Sequence, residues 1–238
     1  MIKCKNCEHE FEGKYCNNCG QKADTPRINA HYLWHEIQHG IFHVDKGVLY
    51  TVKELFIRPG FSVKEYIQGK RINHFKPIAF VFIMAGILGL LRHYLHINTS
   101  ESIIENNNHP AILETFIKLG NSNLGICLLI LLPFYALSSR IAFWKSSYNF
   151  FEHLILNAFL FGQLIIIRLL LLPIALIDLN ELNRIVNVGI GIIFIALLFL
   201  AYFQFFNKSN AIKTIFKTIL TFVIFSIEII IILFLINL

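Results

Sequence analysis

Charge is scarce in this sequence. Only 15% of its 238 residues are Asp, Glu, Lys or Arg, where a soluble chain carries about a quarter. The shortage is uneven, with 20 of the 36 charges in the first 76 residues and 16 in the other 162. That excludes a soluble enzyme domain along most of the chain, and a hydrophobic share of 55% excludes disorder for want of apolar residues. A concentrated cationic face is also missing. The net charge of +6 divides into +4 over residues 1–76 and +2 over the rest, and the early Lys are interleaved with Glu8, Glu10, Glu12, Glu36, Glu54 and Glu65. Nucleic acid is therefore not an expected partner, and a lipid bilayer is. Residues 1–21 lack the apolar core of roughly 7–15 residues that a cleavable signal needs, so the N-terminus is expected to stay where it is made.

What is present is a set of long apolar runs. Five of them, at 77–97, 121–140, 154–177, 186–206 and 214–236, can each cross a bilayer as a helix of about twenty residues. The second is the weakest. Its uninterrupted apolar core, 124–137, is 14 residues and contains Pro133, so a short, kinked or re-entrant helix is open there. With five crossings, 17 Lys and Arg collect on one side and only Arg92, Lys118 and Arg184 on the other. The positive-inside rule then predicts a cytoplasmic N-terminus and an external C-terminus. The outer loop, 98–120, reads as a lid segment with no catalytic set, weakly helical over 111–119.

Four of the five Cys stand as Cys4-x2-Cys7-x8-Cys16-x2-Cys19. Two CxxC turns can each present two thiolates while the short loop between them folds back, which is what a tetrahedral zinc requires. A segment of about twenty residues has too little apolar material to fold alone, so a structural zinc would supply its folding energy. Disulfides or a redox CxxC are the competing readings, and a reducing cytoplasm tells against both. Cys127, alone in an apolar run, reads as a packing residue.

Residues 23–29 punctuate the chain, and Asn29 is placed to cap a helix running to Asp45. On it His31, His35, His39 and His43 recur every four residues as a slanted stripe. His35-Glu36-x-x-His39 also satisfies the zincin pattern, in which two His hold zinc and the Glu acts as base. No third ligand or sheet is evident to complete a protease, so a second metal or pH-sensing site and a plain polar face compete with it. A second helix is predicted over 48–57, stopping at Pro59-Gly60, and Ser62-x-x-Glu65 reads as a capping box for a third. Lys64, Lys70, Arg71 and Lys76 follow just before the first span, where each gains about 1 kcal/mol from anionic lipid headgroups or merely sets topology.

Inside the spans, Glu152, His153, Asn157 and Arg168 of the third and Glu228 of the fifth are the polar residues of note. Arg168 and Glu228 fall at similar depth on the predicted boundaries, so an ion pair is expected. The set either holds helices together or lines a path for an ion, a proton or a headgroup.

The fold class expected is thus an all-α membrane protein: a zinc ribbon over 1–22, juxtamembrane amphipathic helices over 23–76 lying along the lipid surface, and five transmembrane helices over 77–238. The ribbon, together with Asp45-Lys46-Gly47, Thr51, Pro59-Gly60, Tyr66, Gly69-Lys70-Arg71, Pro77 and Glu152-His153-Leu154, resembles the bacterial membrane family called domain of unknown function 3667. The resemblance implies a cytosolic zinc-ribbon head on a polytopic body and carries no established activity. Phe159 and Phe161 stand where that family often has further His, which tells against a metal site in the third span. The function expected is a non-enzymatic anchor or adaptor that binds a cytosolic or membrane protein partner. A small transporter using Arg168 and Glu228 is the rival, and a metalloprotease using His35, Glu36 and His39 comes third.

Overall fold

The computed structural model describes residues 1–40, 47–95, 124–177, 180–206 and 210–236. The segment 98–120, expected from the sequence to be an outer lid, and His43 lie outside the described residues, as do the side chains of His35 and His39.

The N-terminal head is built on two similar knuckles. Strand β1 (Ile2–Lys3) pairs antiparallel with β2 (Glu10–Phe11) around the first CxxC, and Tyr15 bridges Lys22 around the second. In each knuckle the carbonyl of the first Cys accepts a backbone bond from the residue after the second: Glu8 N to Cys4 O at 3.0 Å, and Gly20 N to Cys16 O at 2.8 Å. That closure needs a left-handed residue, and Glu8 (φ 62) and Gly20 (φ 77) supply it.

Three short helices follow: α1 (Ala30–Gly40), α2 (Gly47–Ile57) and α3 (Pro59–Gln68). The Asn29 side chain caps α1 by accepting from Tyr32 N at 2.8 Å. Helix α3 begins three residues before the Ser62 cap that the sequence suggests. Pro59, pre-set for the first helical position, starts it, the Ser62 N–H already bonds to Arg58 O, and Glu65 turns to Arg58 instead of closing a capping box. It ends at Gly69 (φ 112), whose amide bonds back to Tyr66 O.

Among the described residues, five helices are long and apolar enough to cross a membrane: α4 (Pro77–Tyr94), α5 (Leu124–Ala142), α6 (Phe150–Leu170), α7 (Asn180–Phe205) and α8 (Ala211–Ile236). Helix α5 continues through Pro133. Helix α6 is the axis of the bundle, 78% buried and packed by α4, α5 and α7, whereas α8 is 11% buried and turns Ile219, Ile230 and Phe234 outward. The apolar surface of α8 is what a lipid-facing helix needs. Small residues allow the closest approaches: a Cβ on Gly125 would meet the Ala85 methyl, and one on Gly162 the Phe80 ring.

Helices α2 and α3 bury one face against α6 and α7. Leu55 and Val63 are fully buried, the Gln163 amide donates to Leu55 O at 2.8 Å, and Gly60 N donates to Gln204 Oε1 at 3.0 Å. Leu49 and Ile57 keep an apolar face outward.

The expected pair of Arg168 and Glu228 is not formed. The Asn149–Glu152 capping box starts α6 at Phe150, and the helix gives way at Leu170 to a 3-10 turn, Leu172–Leu176, that contains Pro173. Arg168 therefore lies in the last turn, where a cation suits the helix dipole, and its Nη1 reaches Asn187 Oδ1 at 3.4 Å. Glu228 instead accepts from Ser138 Oγ at 3.0 Å, beside Ser139, which contacts His153 in the first turn of α6. From His153 to Arg168 is roughly 22 Å of helix, and α5 packs between α6 and α8.

Candidate metal centre and adjoining pocket

The two knuckles bring all four thiols of Cys4, Cys7, Cys16 and Cys19 within 4.8 Å of one another. Sγ of Cys4 is 3.6 Å from that of Cys19, and Sγ of Cys7 is 3.6 Å from that of Cys16. Tetrahedral ligation with metal–sulfur bonds of about 2.3 Å sets sulfurs about 3.8 Å apart, so the four residues are close enough to hold one metal ion with small side-chain adjustments. All four are free thiols. Hydrogen bonding from Asn18 and from the backbone at His9 lowers the Cys7 thiol to about 6, while burial raises Cys19 to about 11. Thiolates are the ligating form, so the first shift prepares the site and a cation would overcome the second.

The head is fixed to the membrane body at two places. The buried Gln21 side chain accepts through Oε1 from the successive amides of Arg71 (3.2 Å) and Ile72 (2.9 Å). Arg27 forms a two-point ion pair with Glu152 and donates to Ser147 O at 2.6 Å, and the Asn149 amide donates to Ile28 O at 2.9 Å. Glu152, read from the sequence as an intramembrane group, thus acts in the first turn of α6 as cap and anchor.

Between the head and the start of α4 lies a cavity of about 590 Å³. Its inner wall carries Tyr32, Glu36, Tyr66, Arg71, His74 and Lys76. The Glu36 carboxylate is buried and accepts from Tyr66 (2.5 Å) and Tyr32 (3.1 Å), both through Oε1. Burial pushes its carboxyl above the ordinary range, opposed by those two bonds and by the Arg71 charge. Burial likewise raises Tyr32 to about 12, and raises Tyr66 well above its ordinary value. His74 is held neutral, lowered by burial to about 4. The Arg71 guanidinium lies 4.5 Å over the Tyr32 ring and donates to the carbonyls of Pro26 and Tyr66.

The residues singled out from sequence are therefore dispersed. His31 lines the cavity rim, and Glu36 sits inside with its carboxylate engaged by two tyrosines. Of the four cations read as headgroup contacts, Lys70 pairs with Glu65 at 3.6 Å, Arg71 and Lys76 line the cavity, and Lys64 stands apart, half-exposed. His153 and Asn157 join Ser139 and Tyr202 in a buried network, Ser139 Oγ to His153 Nδ1 at 2.9 Å and Tyr202 Oη to Asn157 Oδ1 at 2.8 Å. Arg27, Tyr32 and His74 were not among the sequence candidates. Their only signal is tertiary, since each matters through a partner from a distant segment or through burial.

No curated protein and no solved structure matches the chain. Residues 45–89, the stretch that supplies Tyr66, Arg71, His74 and Lys76 to the cavity, match the family model described as Protein of unknown function (DUF3667), the same family that the Pro-Gly and Gly-Lys-Arg motifs resemble.

Proposed function

We propose that the chain is a non-catalytic membrane anchor or adaptor whose zinc ribbon, on the cytoplasmic side of a bacterial inner membrane, presents a fixed binding face to a protein partner. The observation that carries this reading is the double attachment of the head through Gln21 and Arg27. A head held at a set angle to the bilayer presents one surface, and exposed Tyr15 and Ile2 give that surface apolar contacts. The two tyrosine bonds to Glu36 Oε1 and the burial of Oε2 support binding over zincin chemistry, because a general base must reach a metal-bound water. The separation of Arg168 from Glu228 likewise weakens the support for a transport path through that pair.

The test joins metal analysis to photo-crosslinking in membranes. Purified protein should hold one zinc per chain, lost in a Cys16→Ser/Cys19→Ser variant. A crosslinker placed at Tyr15 should yield a discrete protein adduct that the same variant abolishes, while one at exposed Trp144 should not. Absence of any adduct at Tyr15 would remove the adaptor reading, and a second, Cys-independent zinc would revive the His35–His39 site.

A further inference from the structure

Three buried polar atoms with no hydrogen-bond partner among the described residues belong to residues lining the cavity between the head and the start of α4: Thr25 Oγ1, Glu36 Oε2 and His74 Nδ1. These residues are 8%, 6% and 8% exposed. A buried orphan has given up its hydration for nothing in return, and each of these atoms is closed to water as it stands, so a ligand in the cavity would recover the loss by drawing the three side chains through a small rotation toward it.

The charge of the walls selects the ligand's sign. Lys22, Arg71 and Lys76 outnumber Asp24 and Glu36, and burial drives Glu36 toward its neutral form, in which it can also donate. A cationic ligand has no place, because the Arg71 guanidinium already occupies the face of Tyr32 and lies 5.6 Å from the Tyr66 ring. Its Nε and Nη2 are engaged by carbonyls, which leaves Nη1 for an acceptor. Thr25 and His74 can donate as well, and Lys76 is the N-cap residue of α4, so the helix dipole adds to the same sign. Donors spread over several walls suit a tetrahedral group with three or more oxygens better than a planar carboxylate with two.

We propose that this cavity is a phosphoryl-binding site, with Arg71 as its central cation and Thr25, Glu36 and His74 as hydrogen-bonding partners of the phosphoryl oxygens. The phosphoryl group belongs either to a lipid headgroup, since the cavity adjoins the start of the first span, or to a soluble phosphate. The site does not depend on whether the ribbon recruits a partner.

The experiment titrates full-length protein in neutral detergent with dihexanoyl phosphatidic acid below its micelle concentration, and separately with inorganic phosphate, read by calorimetry. One site per chain is expected. Saturation by the lipid alone assigns a headgroup, and mutual competition between the two probes assigns a soluble source. Arg71→Gln should weaken binding about a hundredfold, and Thr25→Val, which keeps the shape and removes one hydroxyl, about tenfold. Lys53→Gln, exposed on α2 outside the cavity, should bind as wild type. Thr25→Val carries the test if Arg71→Gln loses its fold, judged by retained metal. The proposal fails if neither probe binds, if folded Thr25→Val binds as wild type, or if Lys53→Gln is weakened as much as Thr25→Val.

Discussion

Arg27 and Glu152, 125 positions apart, meet in a fork: Nε to Oε1 at 2.8 Å and Nη2 to Oε2 at 2.8 Å. The Glu152 side chain is 4% exposed and the Arg27 side chain 62%, so the pair sits where the head's tether enters the bundle. The carboxylate has a second duty, accepting from Asn149 N at 2.7 Å in the capping box. Removing Arg27 therefore leaves a buried charge partly satisfied. Arg27→Gln should cost about 2 kcal/mol, less than a fully buried pair would. It should also loosen the tether, so protease should cut within residues 23–29 faster than in wild type. Unchanged cleavage would mean that Gln21 alone holds the head.

Gly60 lies in the first turn of α3 against the backbone of α7. A Cβ there would run into Ala201 O and stand 2.6 Å from Phe205 N, both main-chain atoms that cannot swing aside. Gly60→Ala should separate the two helices, break the bond from Gly60 N to Gln204, and destabilise the protein by ~3 kcal/mol. The measurement is thermal unfolding in detergent. An Ala variant as stable as wild type would show that α3 can shift without cost.

How far the sequence could be read depends on how local each determinant is. The four thiols of Cys4, Cys7, Cys16 and Cys19 are set by two knuckles whose geometry is complete within six residues each, so spacing alone places them. The five spans follow from composition for the same reason. Depth does not. Counted from the observed helix starts, Phe150 and Ala211, Arg168 and Glu228 are still nearly level, so helix boundaries do not separate them; the packing of α8 on α5, which sets Glu228 at Ser138 beside the first turn of α6, does. That packing is tertiary and has no local signal, whereas the Asn149–Glu152 box that starts α6 is a local one, Asn-x-x-Glu, that could have been found. The inward turn of Arg71 over Tyr32 could not, because it depends on α1 folding back over the segment after α3.

His74 gives the protein an acid limit. Burial among Tyr50, Tyr66 and Phe159 lowers its imidazole from 6.5 to about 4, against the weaker upward pull of Glu65, with Arg58 adding to the lowering. The folded pKa is depressed, so the unfolded chain takes the proton first. The contribution is full above about pH 6.5 and is lost as the pH falls toward about 4, by up to ~3 kcal/mol. His74→Phe should lose less stability than wild type between about pH 7 and about pH 4.5. Equal losses in the two proteins would place the acid sensitivity elsewhere.

Asn157 is the junction at which α5, α6 and α7 are joined by polar contacts. Its amide donates to Ser139 Oγ (3.1 Å) and His153 O (2.8 Å), and its carbonyl accepts from Tyr202 (2.8 Å). Both polar ends of the side chain are engaged, all four residues are fully buried, and the contacts to Ser139 and Tyr202 run between helices. Such a group holds a bundle in register more readily than it lines a path, because a path needs groups free to exchange partners. Tyr202→Phe should cost about 1 kcal/mol by leaving the Asn157 carbonyl unpaired, and Asn157→Leu about 2 kcal/mol by opening the whole node. The two costs should not add. Once a leucine side chain replaces the amide, Tyr202→Phe has nothing left to disconnect there, so its cost in that background should shrink toward zero. A cost that persisted undiminished would mean that Tyr202 is held by something other than Asn157, and the structural reading of the polar stripe would lose its centre.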